Sequence, residues 1–197
     1  MRLKLAALAL SLALPANAAM MAFLPAPNEN VLMISGEIVP GDYPKFEALV
    51  AKRIPSQLVL DSPGGDYIEA LHIARDVNLM GLRTIAPPDQ CQKGDGVYCR
   101  CASSCFFIWA AGRQRLGDVV MIHLPQTPPK LTGVDRKLAA EAIAKHVVWF
   151  MGKIDMPQSI VDAVLATPFE RPRRLTAKEM HLLESHDVPG AEPQTAK

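Results

Sequence analysis

This sequence predicts an α/β fold, a single domain with a mainly parallel sheet and surrounding helices. Three observations predict it. Short apolar runs alternate with stretches of helical period along most of the 197 residues, which is the pattern of strand–helix–strand units. The chain beyond its leader is the length of one domain and can bury a proper core. No internal repeat or low-complexity block interrupts the alternation.

Residues 1–18 read as a signal peptide. Arg2 and Lys4 precede an apolar core, Leu5 to Leu14, and Ala16-Asn17-Ala18 supplies the small-x-small pattern of a cleavage site. That core is too short for a permanent membrane anchor, and no later stretch is apolar enough to span a bilayer. Residues 19–30, with Pro25, Pro27, Asn28 and Asn30, read as an extended arm. Val31 to Ile34 is a short apolar run closed by Ser35-Gly36, a strand followed by a turn. Tyr43 to Lys52 carries Phe46, Leu49 and Val50 at the spacing of a helix with one buried face. Leu58 to Leu60 forms the next strand and runs into Asp61-Ser62-Pro63-Gly64-Gly65. There proline fixes one backbone angle and paired glycines open conformations closed to other residues.

Asp66 and Glu69 have the offset of a capping box and start a helix through Ile68, Leu71, Ile73 and Val77 to Met80-Gly81. Leu82 to Ala86 is a third strand, and Pro87 to Arg100 a long loop. The unbroken apolar run Phe106 to Ala111 is a buried helix that Gly112 ends. Val119 to Ile122 is a strand that delivers His123 at its carboxyl end, with Pro125 stopping it. Asp135 to Met151 is the longest helical pattern, Pro157 to Leu165 another helix, and Thr176 with Glu179 a second capping box opening a helix through Leu183. The domain spans residues 31–187, and a polar, proline-containing tail occupies 188–197.

The formal charge is +1, and loss of Arg2 and Lys4 with the leader takes it to −1. Neither value leaves a nucleic-acid or membrane-surface footprint. The four cysteines, Cys91, Cys99, Cys101 and Cys105, lie close together, and in an exported chain they read as two disulfides, with three pairings open. A zinc site is the weaker alternative, because the spacing matches no common finger. No metal and no cofactor is therefore expected. His72, His146, His181 and His186 fall on helices or at their ends and take no role.

In open α/β sheets, chemistry collects at the carboxyl ends of the strands. Three features fall there: the Ser-Pro-Gly-Gly turn, Ser103 at the loop-to-helix transition, and His123. They are N–H donors, a nucleophile and a base, the parts of acyl transfer. Ser103 also has the simpler reading of a helix N-cap.

These residues carry a resemblance. Ile-Ser-Gly-Glu-Ile at 34–38, Leu-Asp-Ser-Pro-Gly-Gly at 60–65, Cys-Ala-Ser-Ser at 101–104 with Ala-Ala-Gly at 110–112, Met-Ile-His-Leu-Pro at 121–125, and Arg-Leu-Thr-Ala-Lys-Glu at 174–179 occur in the order found in the Clp protease proteolytic subunit. The chain resembles more closely the exported ClpP-like proteins of bacteria, within the ClpP/crotonase superfamily, from about residue 31 to 187. The resemblance implies that Ser103 is the nucleophile, with Ser104 exchanging roles if the alignment shifts by one. It implies His123 as general base and the N–H groups of Gly64 and Ser104 as the oxyanion hole. Where the family has its acid, this chain has Arg171, Pro172 and Arg173. The nearest carboxylate is Glu170, with Asp118, Asp155 and Asp162 as alternatives. The connection from Gly112 to His123 is also shorter than in the protease.

The function implied is an exported, periplasmic or secreted, serine hydrolase. It would be an ATP-independent peptidase acting on a peptide or protein, since no nucleotide-binding loop is present. The alternative is a catalytically inactive relative that binds peptides or self-associates. Acyl-CoA chemistry on the same scaffold would be separated by export from the cytosolic cofactor pool. Relatives assemble into rings, so the resemblance also implies a homo-oligomer.

Overall fold

The computed structural model describes residues 18–94 and 96–184. The leader up to Asn17, the tail and His186 lie outside the described residues.

Two mixed sheets organise the chain. The first holds β1 (Met20–Phe23), β2 (Val31–Ser35), β3 (Gln57–Asp61), β4 (Arg83–Ile85) and β6 (Gln114–Leu116), hydrogen-bonded in that order. Its β2, β3, β4 and β6 run parallel, and β1 returns antiparallel on the edge. The second holds β5 (Cys101–Ala102), β7 (Val120–Ile122) and β8 (Arg173–Arg174), with β5 and β7 parallel and β8 antiparallel. The expected mainly parallel sheet is thus corrected to two sheets, each with an antiparallel edge. The reason is local. The 19–30 arm folds back after Phe23 through a turn in which Asn28 N–H donates to Pro25 O and Val31 N–H to Asn28 O, and a hairpin return can only pair antiparallel.

The central strands form where they were expected because alternate residues face a core. Leu32 lies opposite Leu58 and Ile34 opposite Leu60, and all four are fully buried. The helices are α1 (Asp42–Val50), α2 (Tyr67–Leu79), α3 (Ser104–Ala110), α4 (Gly133–Lys153), α5 (Gln158–Ala166) and α6 (Ala177–Glu184). Every residue of α3 is buried, as the unbroken apolar run requires, and it packs against α2, β4, β5 and β7. Gly112 follows α3 because Thr84 occupies its flank: a Cβ there would lie 2.1 Å from Thr84 Oγ1, the hydroxyl that donates to Trp109 O.

The two sheets meet at the site. Beyond β3, Ser62 pairs in parallel with Cys101: Ser62 N–H donates to Arg100 O (2.8 Å) and Ala102 N–H to Ser62 O (3.0 Å). The carboxyl ends of β3, β5 and β7 thereby converge. The cysteines form two disulfides, Cys91–Cys99 and Cys101–Cys105, and no cysteine is free among the described residues. This is the state of a protein in an oxidising environment.

Candidate active site

Ser103 follows β5 directly and precedes the first residue of α3. Its N–H donates to Met121 O of β7 at 3.2 Å, and the chain then turns at φ 57°, ψ −126°. A non-glycine residue in that conformation costs roughly 1–3 kcal/mol and persists only where its surroundings enforce it. The surroundings here are the β5–β7 pairing on one side and the Cys101–Cys105 bridge spanning the turn. The simpler reading of Ser103 does not describe this residue: its side chain makes no capping hydrogen bond. The side chain is half-buried, whereas the neighbouring Ser104 is only 3 % exposed and its Oγ has no partner.

Ser103, Ser104, Gly64, Gly65 and His123 all line one cavity of about 700 Å³. Its wall is built from prolines 63, 125, 128, 129 and 172 together with Phe169, and Glu37 and Tyr67 also border it. Gly64 is pressed against the serine, since a Cβ on it would lie 2.5 Å from Ser103 Cβ. Only glycine fits there, at φ 98°.

His123 is buried, and its ring meets Phe169 edge-on at 5.0 Å. Nδ1 lies 2.9 Å from Leu124 O. A carbonyl only accepts, so Nδ1–H is the donor and, in the neutral ring, Nε2 is left as an acceptor. This is the tautomer a general base needs, and a backbone carbonyl rather than a carboxylate holds it. Glu170 is exposed, is not among the residues bordering the cavity, and makes no hydrogen bond or ion pair among the described residues. Asp118 accepts from Asp89 N–H and Asp162 from Gln158, so both are engaged away from the imidazole. No hydrogen bond joins Ser103 to His123 among the described residues. The two side chains share the cavity without touching through a proton.

The N–H groups are distributed differently from the expectation. Gly64 N–H donates to the buried Ser62 Oγ at 3.1 Å, so in this state it is spent inside the turn. Gly65 and Ser104 both border the cavity, and their N–H groups have no acceptor among the described residues. Gly65 is fixed by its neighbours: Ile38 N–H donates to Gly64 O (2.8 Å) and Asp66 N–H to Ile38 O (2.7 Å). Ser62, Gly65, Tyr67 and the Leu124 carbonyl are thus residues of the candidate site that sequence reading missed. Ser62 and Gly65 were signalled by the turn motif itself, whereas Tyr67 and Leu124 carried no signal. Tyr67 OH is buried without a partner, and desolvation pushes its phenol well above its usual value.

Nothing among the described residues groups histidines, cysteines and carboxylates as a metal site would. Among those residues, no helix is long and apolar enough to cross a membrane. Compared with known proteins, the chain matches no protein-family model, and the curated proteins give no match.

Proposed function

We propose that this protein is an exported serine hydrolase of the ClpP/crotonase type, a peptidase in which Ser103 attacks a carbonyl. His123 Nε2 takes the hydroxyl proton and returns it to the leaving group, and Gly65 and Ser104 N–H receive the oxyanion. The observation that carries the reading is Ser103 itself. It is an uncapped serine in a strained strand-to-helix turn, opening on a cavity with a correctly tautomerised histidine and two unused N–H donors. The Leu124 carbonyl supports the role the family gives to an acid, by orienting the ring, without adding its charge. The imidazolium formed in the reaction is then less stabilised than beside a carboxylate, so turnover is slow. The leader at 1–18 and the two disulfides support export to the periplasm or beyond.

Labelling the purified protein with a fluorophosphonate tests this. Ser103→Ala should abolish labelling while Ser104→Ala retains it. A folded protein with no serine-dependent labelling would overturn the reading. One observation favours the alternative of a peptide-binding relative without catalysis, namely the absence of a Ser103–His123 hydrogen bond. Substrate-free sites often close that bond only on binding. A peptide aldehyde that captures the serine reversibly discriminates, because a binding module takes up peptides but forms no adduct.

A further inference from the structure

A second cavity, of about 480 Å³, lies between α2 and α4, away from the serine. That volume is within the roughly 300–1,000 Å³ of small-molecule sites. Its floor is apolar, formed by the buried side chains of Leu71, Phe150 and Ile154. Its walls are mixed, with Leu79 (76 % exposed) and Trp149 (57 %) as open apolar surface beside the polar His72, Asn78 and His146. Trp149 is held by stacking on His146 at 5.6 Å. The charged side chains that border the cavity are Arg75 and Lys153, and no carboxylate borders it. Arg75 is already paired with Asp76 and Tyr43. Lys153 is exposed, has no ion-pair partner among the described residues, and stands at the end of α4.

We infer that this cavity binds a single-chain amphipathic carboxylate, its hydrocarbon chain lying on Leu71, Phe150 and Ile154 and its carboxylate against Lys153. Apolar area explains retention of the chain, and Lys153, the cation at the rim without an ion-pair partner among the described residues, selects the anion. A second copy of this chain fits less well. A two-fold contact centred on the cavity brings the Lys153 of one protomer, without an ion-pair partner among the described residues, towards the same cation of the other. Binding here is independent of any chemistry at Ser103.

Tryptophan emission of the delipidated protein reports occupancy, because Trp109 is fully buried and Trp149 is the other of the two tryptophans. Titration with laurate, below its micelle concentration, should shift the emission saturably, with dodecyltrimethylammonium binding at least ~10-fold more weakly. Lys153→Glu should weaken laurate binding by about 3- to 10-fold and narrow the difference between the two amphiphiles. Leu79→Asp, an exposed change that spares the core, should weaken laurate as well. Calorimetry on Trp149→Phe should still register laurate. Three results would overturn the inference: no saturable response to laurate, equal binding of anion and cation, or a ligand-free dimer that buries Trp149.

Discussion

Ser103 and Gly65 show how much of the candidate site is backbone conformation rather than side-chain chemistry. Ser103 Oγ makes no capping bond, so Ser103→Ala should leave stability within about 0.5 kcal/mol of the parent while removing the proposed nucleophile. Gly65 is the opposite case. Its φ is 139°, and a Cβ would stand 2.0 Å from Ile38 O, a backbone atom that cannot swing aside. Gly65→Ala should therefore cost at least about 2 kcal/mol in urea denaturation. Gly94→Ala, with nothing within 4 Å of the added carbon, should be close to neutral. Equal effects of the two glycine changes would show that the Ile38 backbone does not hold the turn against Gly65. The sequence made the Ser-Pro-Gly-Gly turn visible but not which of its N–H groups is free. That depends on Ser62 Oγ folding back to Gly64 N–H, a choice made by tertiary packing around Ser62.

Among the elements, those with their own local signals were legible. The Thr176–Glu179 capping box forms as the spacing required: Glu179 accepts from Thr176 N–H at 2.7 Å, and Glu179 N–H donates to Thr176 Oγ1 at 3.3 Å. The Asp66–Glu69 pair is only half a box. Asp66 caps Ile68 and Glu69 N–H, but the Glu69 carboxylate reaches across to Tyr43 N–H of α1, because Asp66 N–H is already given to Ile38 O. The short strands β5, β6 and β8 were not legible as strands, since Cys101–Ala102, Gln114–Leu116 and Arg173–Arg174 are too short or too polar to alternate. They exist because neighbouring edges pair with them.

The capping box of α6 also gives a pH prediction. Arg173 donates two hydrogen bonds to Glu179, and that contact, ahead of the Thr176 bonds, holds the carboxyl down at about 2 from its ordinary 4.5. A depressed folded-state value means the stabilisation is present in full above 4.5 and is lost as pH falls towards 2. Glu179→Gln should flatten the pH dependence of stability in that interval and leave the slope above it unchanged. An unaltered acid limb in the variant would show that the Arg173–Glu179 contact does not stabilise the fold.

At the scale of the whole molecule, the two disulfides divide the work of holding the site, and their burial sets the order in which they yield. By loop-closure entropy each short bridge contributes roughly 2–3 kcal/mol. Cys91–Cys99 ties the 87–100 loop, which Asp61 also holds by accepting from Tyr98 and Arg100 N–H. Cys91 is half-buried and Cys99 8 % exposed, whereas Cys101 and Cys105 are fully buried in the core beneath Ser103. Exchange needs a thiolate in line with a sulfur, so a mild reductant reaches the outer bridge first. The inner one opens only with the packing of α3, which joins both sheets. Reduction should therefore proceed in two steps. Alkylation followed by peptide mass mapping should find Cys91 and Cys99 modified while serine labelling and near-ultraviolet circular dichroism are still retained. Cys101 and Cys105 should become modified together with loss of both signals. Modification of Cys101 and Cys105 in a protein that keeps its dichroism would mean that the strand-to-helix turn at Ser103 can be released without the domain. The bridge beneath Ser103 would then be a separable control on the site rather than a part of the core.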